Sequence, residues 1–161
     1  MKLHHLMLAL MFAAGMTGCA STNIESRHSY DNRTDFSGMN SYAWAPVDEA
    51  VFSSPESADH FHSAMDNMLA TKGFNQNSGA PDFLISTRYV RAYVEVYKTY
   101  AGNIDVPKAR VRVNFLNPSS NVMIYESAAS AQLGEDATQE TKNAIIDKAV
   151  EALLSEFPPG E

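Results

Sequence analysis

A single cysteine in 161 residues leaves no partner for an internal disulfide, so the folded body must be held by packing alone. Positive charge is scarce as well. Twelve Lys and Arg stand against nineteen Asp and Glu, a formal charge of −7, which argues against a nucleic-acid partner. No glycine-rich phosphate loop and no G-x-S-x-G elbow occur, and serines gather in turns such as Ser53-Ser54 and Ser119-Ser120. The longest apolar run, Leu6 to Ala14, is too short to cross a bilayer core of about 30 Å as a helix. Carboxylates are plentiful, but nothing in their spacing sets two of them across a substrate. The expectation is a non-enzyme without cofactor or metal.

What is present begins with a leader. Met1 and Lys2 open a weakly positive start, the run Leu6–Ala14 follows, and Gly15 breaks the helix before a processing site. Met16-Thr17-Gly18-Cys19 resembles a bacterial lipobox, with Met16 in place of the usual Leu. Residues 1–18 are then a signal peptide, and Cys19 is the acylated first residue of the mature chain. Cleavage after Ala20, or retention of the segment as an anchor, are the competing readings. A lone thiol outside the cytosol is a liability, and lipidation gives it a use. Two or three acyl chains, at about 0.8 kcal/mol per buried methylene, hold almost irreversibly. Ala20 and Ser21 supply no Asp after the cysteine, which favours the outer membrane, with the body facing the periplasm. Residues 19–23 form a short lipidated leash, and residues 24–161 a single domain.

Periodicity sketches that domain. Ile24–Tyr30 and Ser41–Ala45 read as strands, the second stopped by Pro46. Ser53 and Glu56 fit a capping box, with Ala58, Phe61, Met65, Met68, Leu69 and Lys72 on one helical stripe. Gly73 supplies a left-handed stop, from which Phe74 packs back on Leu69. The period then changes to two. Val90, Ala92, Val94 and Val96 alternate with Tyr89, Arg91, Tyr93, Glu95 and Tyr97; Phe83 and Ile85 have the opposite phase, which predicts a bulge near Thr87–Arg88. Ala109, Val111, Val113 and Phe115 alternate with Arg110, Arg112 and Asn114, and Val122–Ala131 makes the next strand. Asp136 with Gln139 caps a last helix whose face is Ile146, Ala149, Val150, Leu153 and Phe157, ended by Pro158-Pro159. The order β-β-α-β-β-β-α implies an α+β two-layer sandwich, a mainly antiparallel sheet with two helices on one face.

A series of short motifs runs through this frame: Tyr30-Asp31, Asp35-Phe36-Ser37, Tyr42-Ala43-Trp44, Lys72-Gly73-Phe74, Pro81-Asp82-Phe83-Leu84-Ile85 and Phe157-Pro158-Pro159, behind a lipobox cysteine. The series resembles a bacterial lipoprotein family catalogued as a domain of unknown function, number 4136, over almost the whole mature chain. The departures are Tyr125, where the family often has Trp, and Asn117, where it has Asp. The resemblance implies a periplasmic, lipid-anchored α+β domain and carries no active site.

Three features invite chemistry. Asp59, His62 and Asp66 share a helix face and would bind zinc weakly; a solvated face with local salt bridging is the plainer reading, and His60 points away from His62. Trp44, sharing a strand face with Tyr42, reads as a packing residue. The outward side of the middle strands is richer. Tyr89, Arg91, Tyr93, Tyr97, Arg110 and Arg112 would project there, and six of the twelve basic residues lie within residues 88–112. Tyr and Arg anchor interfaces, and they also suit an exposed sheet through β-propensity alone. The expected role is a binding or structural component of the envelope. Its partners would be the membrane, through acyl chains on Cys19, and an envelope protein, a glycan or an acidic lipid. The rivals are a carrier, with a cavity lined by Met65, Met68 and Val94, and a hydrolase of envelope polymers.

Overall fold

The computed structural model describes residues 23–45, 54–134 and 136–160, apart from the side chains of residues 90–95, 105 and 107. The expected signal segment, Cys19, Pro46 and Ser53 lie outside the described residues. Eight elements follow in order: β1 (Ile24–Tyr30), β2 (Ser41–Trp44), α1 (Pro55–Thr71), β3 (Asn75–Gln76), β4 (Phe83–Thr99), β5 (Gly102–Leu116), β6 (Met123–Gln132) and α2 (Gln139–Leu153). They form the expected α+β two-layer sandwich, with one addition, the two-residue β3.

The six strands make one sheet in the order β1-β6-β5-β4-β2-β3. β1, β6, β5 and β4 are antiparallel neighbours, whereas β2 runs parallel to both β4 and β3. No helix among the described residues is long and apolar enough to cross a membrane.

Both helices start later than capping rules placed them, α1 by one residue and α2 by two. Ser54, not Ser53, caps α1, its hydroxyl accepting the Ser57 N–H, so Pro55 falls at the first helical position where no N–H is needed. Thr138, rather than Asp136, caps α2 by accepting the Thr141 N–H. Thr138, in extended backbone, supplies the capping oxygen expected of Asp136. At the other end of α1, Gly73 adopts φ +89, the Gly73 N–H bonds the Ala70 carbonyl and the Phe74 N–H bonds the Leu69 carbonyl.

The core is aromatic and concentrated toward one end of the sandwich. Phe157, just past α2, lies 4.5 Å from Phe115, 5.0 Å from Tyr125, 5.2 Å from Phe74 and 5.6 Å from Phe83, ring centre to ring centre. Phe61, Met65 and Leu69 of α1 and Val150 and Leu153 of α2 cover the inward residues Ile85, Val113 and Phe115. Asp82 clamps β2 to the start of β4: one carboxylate oxygen accepts the Asn40 N–H, the Ser41 N–H and the Ser41 hydroxyl, at 3.0, 3.0 and 2.7 Å. Those donors, the Asn40 N–H foremost, hold its carboxyl below the ordinary carboxylate range.

The predicted bulge exists but sits further along. Register between β4 and β5 shifts between Val90 and Tyr93, not at Thr87–Arg88. Thr87 and Tyr89 remain opposite the buried Val113 and Val111. Packing under the helices therefore keeps the inward phase through Tyr89, and the extra residue is placed where that constraint ends.

A candidate binding face on the open side of the sheet

Cross-strand partners point to the same side of a sheet, so the pairings place each side chain of the outer face. Val111, Val113 and Phe115 face the helices; Lys108, Arg110, Arg112 and Asn114 therefore face away. Arg112 pairs with Arg88 of β4 on one side and with Ala128 of β6 on the other, and Ala128 pairs with Arg27 of β1. Three arginines thus stand in one row across the sheet, Arg88 directly beside Arg112 and only the Ala128 methyl group between Arg112 and Arg27. Strand spacing puts Arg88 about 5 Å and Arg27 about 10 Å from Arg112 at the backbone. All three are exposed.

The neighbouring rows show how this charge is held. Arg110 donates from Nε to Ser130 Oγ at 3.1 Å, and Arg112 lies 3.6 Å from the Glu126 carboxylate. Lys108 is nearly inaccessible, its ammonium 2.8 Å from Glu25 and 5.9 Å from the centre of the Tyr97 ring. On this face cations outnumber the described carboxylates, Glu25 and Glu126, although the chain is acidic as a whole. Asn114 Oδ1, also on this face, is buried without a hydrogen-bond partner among the described residues.

The residues expected on this face divide. Arg110 and Arg112 are there. Tyr97 is 42% exposed, beside Lys108. Arg91 lies within the register shift of β4 and Tyr93 just past it, opposite Lys108, and their side chains lie outside the described residues. Tyr89 is corrected: it pairs with buried Val111 and packs, half-buried, on the core side. The bulge lies after it, so it keeps the phase of Ile85 rather than that of Tyr93. Arg27, Arg88 and Lys108 were not singled out from sequence for this face. Arg27 is invisible there because only strand pairing brings residue 27 beside residue 112.

The helix-face row does not assemble as a cation site. Asp66 Oδ1 accepts the Tyr42 hydroxyl at 2.6 Å and the Trp44 indole N–H at 3.0 Å, while His62 stacks on Trp44 at 4.2 Å. Burial holds the His62 imidazolium below its ordinary pKa, against the pull of Asp66 and Asp59. His60 is used differently, bridging α1 to Asp147 of α2 at 2.8 Å. Among the described residues no group of three His, Cys, Asp or Glu side chains is arranged to hold a metal ion.

A second feature lies on the other side of the sheet, at the end away from the Phe157 cluster. An apolar cleft of about 60 Å³ opens between the starts of α1 and α2 and the strands, floored by Ala109, Ala129 and Ala131 and edged by Tyr89, Ile146 and Lys142. Three alanines where the rest of the core has rings leave this space open. The cavity expected around Met65, Met68 and Val94 is elsewhere: Met65 is wholly buried in the filled core, Met68 packs at its margin, and the Val94 side chain lies outside the described residues.

The model of the family described as Domain of unknown function (DUF4136) matches residues 26–159. The chain belongs to that family. No curated protein matches it by sequence. Among solved structures, a PDZ domain protein from Parabacteroides distasonis is similar, with a TM-score of 0.60 at 14% identity over 87% of this chain. This chain spans only 38% of that one. The PelC dodecamer from Paraburkholderia phytofirmans is similar with a TM-score of 0.54 at 10% identity, over 83% of this chain and 96% of its own. At such identities the likeness is one of fold. The DUF4136 fold is therefore shared with proteins of differing description, and its chemistry must be argued from side chains.

Proposed function

We propose that this DUF4136 chain is an outer-membrane lipoprotein, fastened through acylated Cys19 and facing the periplasm, that binds an acidic envelope component on the outer face of its sheet. It acts by binding rather than by catalysis. The observation that carries this reading is Arg88 standing directly opposite Arg112. Like charges in that position weaken a sheet by a few tenths of a kcal/mol to about 1 kcal/mol, and Arg27 extends the row, with Glu126 of the neighbouring row the carboxylate within reach of Arg112 among the described residues. Forked guanidinium donors at strand spacing suit phosphate or carboxylate groups repeated along an envelope polymer.

The test offers soluble peptidoglycan fragments to the mature chain and to Arg88→Ser/Arg112→Ser. Loss of two charge-assisted contacts should weaken retention roughly tenfold or more, with salt eroding the parent's binding. Equal retention by both proteins removes the reading. The apolar cleft favours a second one, a carrier of small apolar ligands. Saturable uptake of a fluorescent fatty acid, abolished by Ala131→Phe, would select it.

A further inference from the structure

The cleft end of the sandwich is also where β4 and β5 outrun the rest of the sheet. β6 pairs with β5 only as far as Gln132 opposite Lys108, and β2 pairs with β4 only over Phe83–Ile85. Beyond that level Val94–Thr99 and Gly102–Pro107 pair with each other alone. The result is a two-stranded arm projecting from the body. Its tip is well formed: Thr99 Oγ1 donates to the Gly102 carbonyl at 2.7 Å and accepts the Ala101 N–H at 3.2 Å, and Gly102 takes φ +127.

The arm carries most of the large apolar side chains that the described molecule exposes. Val96 is 52% exposed, Ile104 54%, Tyr97 42% and Tyr100 completely, with Lys98 also exposed beside them. A soluble surface has no need of such a tip. Tyr with a neighbouring Lys, amid short aliphatic side chains, is the composition of a segment seated at a membrane–water interface.

Chain direction places the start of β1 at the same end. Ile24 pairs with Ala131, and Ala131 with Ala109, so β1 begins on the row of Ala109 and the preceding chain arrives from the side of the arm. From Ala109 to the tip at Gly102 is seven residues of strand, about 23 Å. From Cys19 to Ile24 is five residues, at most about 17 Å when fully extended. The leash is thus shorter than the arm, and both extend from the same end of the body.

We infer that the β4–β5 arm is a second membrane contact, its tip seated in the headgroup region of the leaflet that holds the lipid on Cys19. This rests on the lipid-anchor reading, since the anchor is what brings the bilayer to that end. With two points of attachment the domain stands in a defined orientation, and the arginine row runs across the sheet on a side wall rather than facing the bilayer.

The lone cysteine makes the test direct. If Cys19 is acylated, Tyr100→Cys and Ser119→Cys each give the mature chain one free thiol. Residue 119 lies in the exposed turn between β5 and β6, at the opposite end. Each chain, incorporated through its lipid into phosphatidylethanolamine–phosphatidylglycerol vesicles, is labelled with an environment-sensitive nitrobenzoxadiazole dye. The label at residue 100 should brighten severalfold and escape aqueous iodide, while the label at 119 stays dim and quenchable. Equal quenching at both positions overturns the inference and leaves the anchor intact. Two reactive thiols instead of one would mean an unacylated Cys19, which overturns the anchor and this inference together. Shielding at residue 100 that disappears when the protein is diluted with lipid would assign the arm to a second copy of the chain, and also overturns the membrane contact.

Discussion

β4 is one continuous strand that lives in two environments. From Phe83 to Tyr89 it lies beneath two helices, its inward residues meeting Phe115, Val113 and Val111, and alternation there is enforced by burial. From Tyr93 to Thr99 its one strand neighbour is β5, and its described side chains, Val96 to Thr99, are exposed. Alternation of apolar and polar residues looks the same in both halves. In the first half it specifies a core; in the second it decorates an arm. Periodicity reports which residues share a side and says nothing of what covers that side.

Three substitutions sharpen that contrast. Phe157→Ala removes the ring around which Phe115, Tyr125, Phe74 and Phe83 pack, and should cost about 3–5 kcal/mol in urea unfolding. Tyr100→Ala on the arm should stay within about 0.5 kcal/mol of the parent. Comparable losses at both positions would mean that the arm is packed after all. Asp82→Ala breaks the clamp between β2 and the covered part of β4. It leaves two backbone N–H groups without their acceptor and should cost on the order of 2 kcal/mol.

The clamp also sets a pH dependence. Asp82 has a lowered folded-state pKa, so the unfolded chain binds the proton more tightly, and the stability it contributes is complete above the ordinary value of 3.8. That contribution should drain away as pH falls from there through the depressed folded value. Asp82→Ala should lack this share of the acid loss; identical acid profiles for parent and variant would rule the clamp out as its source. A small effect of opposite sign belongs to the outer face. Arg88→Ser relieves the repulsion with Arg112 and should raise stability by a few tenths of a kcal/mol up to about 1. A clear loss of stability would show that the arginine row is structural.

Much of the frame was legible beforehand because its signals are local. Gly73 followed by Phe74 announces a helix end through a few neighbouring hydrogen bonds, and the alternation from Ala109 to Phe115 assigns sides within one strand. The candidate face was legible only in part. Arg110 and Arg112 could be read from alternation, but Tyr89 was put on the wrong side. The residue at which β4 changes phase depends on where the helices stop covering it, and no local pattern encodes that. Arg27 illustrates the same limit across the sheet, since nothing near it in the chain hints at Arg112.

The amino-acid order by itself determined every element but β3, their types, the apolar stripe of each helix and the likeness to one family, because these follow from intervals of two to four residues. The tertiary structure alone decided which strands became neighbours, where β4 changed register, and how three arginines from β1, β5 and β4 came to share a row. Those outcomes depend on pairing between segments as far apart as residues 27 and 128, and on where a second layer runs out. Contacts between distant segments are chosen by the packing of the whole domain, which no short stretch of chain contains.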